Sequence, residues 1–429
     1  MSTPTFLRLG SANTYDNARS QLMARQVALS NLQEQLTSGK RVNSPSDDPT
    51  AAAQAERAMT RIDRIQADQR ALNAQKDAIA QAESTLGDVT DALQRFRELV
   101  VNAGNSTNSP ADRRTIAGEL QGLRDQIFAL ANRKDTNGQP LFGALASALT
   151  PFVGPNASAP DYLFNGMPGQ SASSEVGIPF ALDGDSAFMH QPARDGVFNV
   201  AVSTTSAALT TSGVTVTNTA TVAATATAAA AAVPSVPYPV YTVNFTAVNT
   251  TVPGTTTLTY SITETPAVSV PAVATPVTVS YPSNTAAPIT GLPGLSFSVN
   301  GTPNIGDTLT INERPSVFSV PDDATKSNAG APNNNGASQA VGQALGNIDI
   351  GMARISAVRG QAGDLLNRAD RISSDQEKRG VQLEAQRSTA QDLDMIKGVS
   401  DFQNQQTGYQ AALQSYAQVQ KLSLFNFIS

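Results

Sequence analysis

The two ends of the chain share one pattern and the middle carries another. That contrast limits the possible folds more than any single motif. Residues 12–133 and 338–429 hold apolar residues at helical spacing, whereas residues 150–330 are rich in Thr, Ala, Val and Pro and sparsely charged. Apolar side chains three and four apart mark the buried stripe of a helix, and strict alternation marks a half-buried strand. A chain with helical ends and a strand-like middle folds back on itself, so its first and last segments can pack as one bundle. The expected class is therefore multidomain α+β. Its N- and C-terminal helices form a long coiled-coil-like bundle, with a mainly antiparallel β insert between them.

The first helix is expected over residues 12–37. Leu22, Leu29 and Leu36 recur every seven residues and Leu32 lies between them, which makes a narrow seam. Gly39 suits the left-handed residue that ends a helix. Pro45-Ser46-Asp47-Asp48-Pro49 follows. Paired carboxylates invite an acid–base reading, but a helix start explains the residues better: Asp48 caps the next helix and Pro49 takes its first position. That helix is expected over residues 49–103. Ile65, Leu72, Ile79, Leu86, Leu93 and Val100 hold a seven-residue repeat, with Val89 and Phe96 at intervening positions. Ser109-Pro110-Ala111-Asp112 reads as a capping box. A third helix carries Ile116, Leu120, Leu123, Ile127 and Leu130 on one face.

From Gly196 to Gly306 the only charged residue is Glu264. Alternation at Tyr241, Val243 and Phe245, at Leu258, Tyr260 and Ile262, and at Leu295, Phe297 and Val299 predicts short antiparallel strands. Residues 201–290 include a Thr/Ala-rich, low-complexity part. Its removal is expected to leave the helical bundle able to form. Thr256 reads as part of a loop. Helix resumes after Asn333-Asn334-Asn335-Gly336, with Val341, Leu345, Ile348, Met352 and Ile355 as the seam. The last helix carries Phe402, Tyr409, Leu413 and Tyr416. From residue 401 onward its only charges are Asp401 and Lys421, so its Gln-rich polar face suits burial among protein partners.

These elements suggest three regions. Residues 1–40 and 395–429 would be terminal assembly helices, disordered in the free subunit. Residues 41–150 and 326–394 would form the helical bundle, and residues 151–325 the β-rich insert. The assembly seam comprises Leu22, Leu29, Leu32, Leu36, Phe402, Tyr409, Leu413 and Tyr416. The bundle core comprises Leu72, Ile79, Leu86, Leu93, Phe96, Val100, Leu120, Leu123, Ile127, Ile348, Met352 and Ile355. Pro45, Asp47, Asp48 and Pro49 form the helix-start motif.

Composition argues against several function classes. The formal charge of −6 offers no basic patch for nucleic acid. There is no cysteine for thiolate chemistry or disulfides. The single histidine, His190, lies in a Pro-containing polar segment and reads as a surface or turn residue. No His-Glu-x-x-His, Cys/His cluster or P-loop is present, so neither catalysis nor a cofactor is expected. Ala220 to Val233 is too short and too weakly apolar for membrane insertion. The opening Met1 to Arg8 lacks the apolar run of a secretory signal peptide.

The motif Thr37-Ser38-Gly39-Lys40-Arg41-Val42-Asn43-Ser44-Pro45-Ser46-Asp47-Asp48-Pro49 resembles the N-terminal signature of the flagellin family. Leu93 to Leu99 and Asn105 to Ser109 also fit it, and Leu422 to Ile428 resembles the family's C-terminal ending. Pro45, Pro49 and Ala51-Ala52-Ala53 are more similar to the members at the hook–filament junction than to filament subunits. So is Gly301-Thr302-Pro303-Asn304-Ile305-Gly306-Asp307-Thr308. The opening Arg8-Leu9-Gly10-Ser11 and the long Ala/Thr insert depart from the pattern. The resemblance implies an extracellular structural subunit exported without a cleaved signal through the flagellar type III channel. It implies as partners other copies of the chain in a ring, the first hook-associated protein, flagellin, and an export chaperone that takes the C-terminal segment. A filament flagellin is the alternative. A receptor-binding or adhesive role for the insert is a third reading.

Overall fold

The computed structural model describes residues 11–105, 107–146, 148–156, 161–203, 209–330 and 334–428. Residues 1–10 of the expected terminal assembly region lie outside them. The elements begin with α1 (Ser11–Ser38), α2 (Pro49–Ala103), α3 (Pro110–Ala131), β1 (Phe152–Val153) and β2 (Leu163–Phe164). Next come α4 (Gly184–Phe188), α5 (Pro192–Asp195), β3 (Phe198–Ser203), β4 (Thr210–Thr211), β5 (Thr215–Val216) and α6 (Thr219–Ala231). The strands β6 (Val240–Asn249), β7 (Thr255–Thr265), β8 (Val277–Pro282), β9 (Ala287–Ile289), β10 (Leu295–Asn300) and β11 (Thr308–Glu313) follow. The chain closes with α7 (Ser319–Gly330), α8 (Asn334–Gln391) and α9 (Met395–Ile428).

Two compact units result: residues 1–70 with 373–429, here the terminal unit, and residues 71–372, the central unit. These limits differ from the three expected regions. They fall inside α2 and α8.

In the central unit the seven-residue repeat of α2 is buried: Leu72, Ile79, Leu86, Leu93 and Val100 are at most 1% exposed, as are Val89 and Phe96. From α3, Leu120 and Ile127 join this core, and from α8, Ile348 and Ile355. Leu123 and Met352 are half-buried against it. Three ion pairs show that α2 and α8 run antiparallel: Lys76–Asp370 (2.5 Å), Glu83–Arg359 (2.7 Å) and Arg97–Asp349 (3.0 Å). Their side chains are substantially exposed, so each contributes at most about 1 kcal/mol. Full burial of one Leu or Ile contributes roughly 1.5–3 kcal/mol. The apolar stripe therefore sets the stability, and the ion pairs help fix the register. The capping box at α3 is present: Ser109 Oγ accepts from Asp112 N, and Asp112 Oδ2 accepts from Ser109 N at 3.0 Å.

Aromatic side chains from outside the long helices complete this core. Phe142, Phe152, Phe188 and Phe318 are almost fully buried, and the Phe188 and Phe318 rings stack at 5.6 Å. No helical periodicity announces them.

The insert is a five-stranded antiparallel sheet in the order β3-β11-β6-β7-β8, together with a second sheet in which β10 pairs with β4, β5 and β9. Tyr241, Val243, Phe245, Leu258, Tyr260, Ile262, Leu295, Phe297 and Val299 point into one apolar core. The Ala/Thr run is not wholly strand or linker. Asn218 accepts from Thr221 N and starts α6, whose Val222, Thr225 and Ala229 are buried at 3–4 spacing. Alanine is the best helix former, and this outweighs the β preference of the interspersed Thr. Thr256 is not in a loop either. It lies in β7, 3% exposed, with its hydroxyl 2.9 Å from Ser283 Oγ.

His190 is also placed differently from expectation: it is 5% exposed. Its backbone N donates to Pro315 O (2.7 Å), and Nδ1 lies 3.2 Å from Arg314 O. Burial lowers its pKa to about 4, so the ring is neutral near pH 7. Sequence cannot foresee this, because the covering segment at Arg314 and Pro315 lies more than a hundred residues away.

Candidate assembly surface

In the terminal unit α1 packs on α9. Gly398 lies against Leu36 and Gly408 against Arg25, so the two helices run in opposite directions. A Cβ on Gly398 would sit 2.9 Å from Leu393 Cδ2 and 3.2 Å from Leu36 Cδ2. Both glycines permit close approach, and neither was singled out by periodicity.

The link from α1 to α2 holds the link from α8 to α9. Gln391 O accepts from Arg41 N (2.8 Å) and Val42 N (3.3 Å), and Gly39 O accepts from Leu393 N (2.9 Å). The Arg41 guanidinium donates to Ala390 O (2.8 Å) and to Asp48 Oδ2 (3.3 Å). Asp48 Oδ1 also accepts from Ala51 N (3.0 Å) and the Thr50 hydroxyl (2.7 Å), capping α2, and Pro49 follows as its first residue. Asp47 Oδ2 accepts from Ser44 N (2.8 Å) and Asn43 N (3.0 Å). Pro45 lies exposed within the same link. The N–H donors, foremost that of Ala51, hold the Asp48 carboxyl at about 2, and the Ser44 N–H lowers that of Asp47. Groups so engaged shape a turn and are poor proton shuttles near pH 7.

The expected seam residues Leu22, Leu29, Leu32 and Leu36 on α1, and Phe402, Tyr409 and Tyr416 on α9, are all half-buried. Leu413 is not with them: it is 43% exposed. The inward stripe of α9 runs through residues 402, 405, 409, 412 and 416, so Ala412 takes the place expected for Leu413. Leu413 stands beside that stripe, one residue round the helix.

Among the described residues, the buried apolar residues of this unit are Val42, Ala51, Ala55, Ala58 and Ala390. Meanwhile Met23, Val27, Met59, Val381, Met395, Ile396, Val399 and Leu413 are exposed, Ile396 to 86% and Val381 to 70%. Large apolar side chains outside and mainly alanine inside make this unit the candidate assembly surface.

Other features offer little chemistry. A cleft of about 550 Å³ in the central unit is lined by Gln75, Leu141, Phe180 and neighbours. Its one carboxylate, Asp135, already accepts from Asn137 N and Gln139 N (2.8 Å each). Among the described residues no cluster suited to a metal ion occurs, and no helix is long and apolar enough to cross a membrane.

Residues 11–146 match the family model of the bacterial flagellin N-terminal helical region, and residues 345–428 that of the C-terminal helical region. The chain is 38% identical over 152 residues to flagellar hook-associated protein 3 of Salmonella typhimurium, covering 34% of this chain and 46% of that protein. It is 41% identical over 125 residues to flagellar hook-associated protein 3 of Escherichia coli, covering 28% of this chain and 38% of that protein. The matched stretch thus spans less than half the length of either curated relative. The flagellar junction protein of Legionella pneumophila has a similar solved structure, with a TM-score of 0.54 at 26% identity. That alignment covers 73% of this chain and 98% of that one.

Proposed function

Because the chain belongs to the bacterial flagellin family, we propose that it is a structural subunit of the flagellum, not an enzyme, seated where hook meets filament. Copies of the chain form a ring there. The first hook-associated protein lies on one side and flagellin on the other. The subunit leaves the cell through the flagellar type III channel without a cleaved signal, and a chaperone holds its C-terminal segment beforehand. Relatives named for the hook-associated protein and the junction favour this place over the filament.

One observation carries the reading: among the described residues, the terminal unit exposes eight large apolar side chains over a core built mainly of alanine. Such a unit is completed by neighbours. Electron microscopy of a deletion strain tests the placement. Free hooks with shed flagellin are expected, whereas intact junctions lacking filaments would mark the chain as a filament flagellin.

A further inference from the structure

The terminal unit also holds a groove of about 700 Å³, bounded by the start of α2 and the end of α8. Arg41, Arg57 and Arg61 line it. Among the described residues its only carboxylate is Asp48, already engaged by Arg41, Thr50 and the backbone of Ala51. Arg57 and Arg61 stand one turn apart, exposed, and make no ion pair among the described residues. Charge is divided unevenly between the units. The terminal unit has fourteen Lys and Arg against thirteen Asp and Glu, and the central unit fifteen against twenty-two. The formal charge of −6 therefore comes from the central unit. Part of that excess lies on its stretch of α2, where Asp77, Asp88 and Asp91 are exposed within a narrow angular range of the helix. Asp88 is shared with Arg133 at 3.4 Å, while Asp77 and Asp91 make no ion pair among the described residues.

We infer that the arginine groove docks a second copy of the chain, taking the acidic edge of α2 around Asp77 and Asp91 from that copy's central unit. This rests on the ring reading above and names the surfaces that make the ring. A patch that binds a different patch on the next copy is a head-to-tail contact, which yields a ring when its rotation closes. Complementary charge fixes register and partner choice and speeds encounter, while the exposed apolar residues supply buried area. The contact weakens with salt, because exposed charges are screened beyond about 8 Å at physiological ionic strength.

Sedimentation velocity of the purified full-length chain at low and high salt tests the inference, using three variants. The first carries Arg57→Glu with Arg61→Glu, the second Asp77→Lys with Asp91→Lys, and the third all four changes. All four positions are exposed, and thermal melts check that each variant folds. Either paired reversal is expected to weaken self-association by about tenfold or more, since like charges then face each other. The four changes together should restore it. Association of the arginine variant at wild-type strength would overturn this surface and leave the ring reading standing. So would a quadruple variant as weak as its parents. A wild-type chain that stays monomeric at every concentration would overturn the ring reading, and this inference with it.

Discussion

The terminal and central units share the helices α2 and α8 yet bury different things. In the central unit α2 turns Leu72, Ile79, Leu86, Leu93 and Val100 inward. In the terminal unit the same helix turns Ala51, Ala55 and Ala58 inward, and larger side chains such as Met59 stand outside. Hydrophobic stabilisation scales with apolar area removed from water, at roughly 25 cal/mol per Å². An alanine stripe therefore supplies far less than a leucine stripe of equal length. The backbone does not register the difference, since both stretches are regular helix. A core of large side chains is complete within one chain; in the assembly proposed above, one of small side chains under exposed apolar residues is completed by neighbours.

The largest effect is expected from removing residues 205–290. From sequence this insert reads as removable. In the structure β6 pairs with β11, and β4, β5 and β9 pair with β10. The deletion would strip β10 of its partners, leave β11 only β3, and open the insert's core and sheet edges to aggregation. The truncated chain should be largely insoluble. Soluble truncated protein with undiminished amide protection in β10 and β11 would show that the pairings are unneeded.

Next in size is the contrast between Leu93→Asp and Ile396→Asp. Leu93 is fully buried, so an unpaired carboxylate there should cost on the order of 3–5 kcal/mol and lower the melting temperature clearly. Ile396 is 86% exposed, so its change should leave melting unaltered and impair self-association. Equal melting shifts for the two variants would erase the distinction between the units.

A third test addresses the free subunit. We expect residues before about 35 and after about 400 to be cut first by protease in dilute monomer, since single helices with half-buried seams are marginal without partners. Ends as resistant as the central unit would mean that α1 and α9 suffice for each other.

The smallest effect concerns Glu313, at the end of β11. Burial pushes its carboxyl up to about 7. The folded state thus holds this proton more tightly than the unfolded chain does. The stability so gained is present at pH values below its ordinary 4.5 and is lost as pH rises through about 7. Glu313→Gln should be nearly neutral at pH 4 and stabilising, by on the order of 1–3 kcal/mol, at pH 8. Parallel stability curves across that range would exclude the titration.

Local spacing sufficed for the long helices, the first residues of α2 and α3, and three strands of the insert, β6, β7 and β10. Caps, heptads and alternation are written in consecutive residues, and each reports the face an element will bury. Leu93, Tyr241 and Asp48 are legible for that reason. The Phe142, Phe152, Phe188 and Phe318 cluster is not, because its members lie outside any long periodic element and meet only in three dimensions. Gly398 and Gly408 gain meaning only once α1 lies on α9.

By itself, the sequence determined the long helices and three strands of the insert, that its ends resemble the flagellin family, and that α2 carries a seven-residue apolar repeat. Tertiary structure alone decided that Ala412 rather than Leu413 faces the seam of α9 and that His190 is buried under Arg314 and Pro315. It likewise decided that Thr256 is buried in a sheet, and that Arg57 and Arg61 border a groove and make no ion pair among the described residues. The physical reason is common to these cases. Periodicity tells how a segment divides into faces, but burial and ion pairing depend on which distant backbone comes to lie against each face.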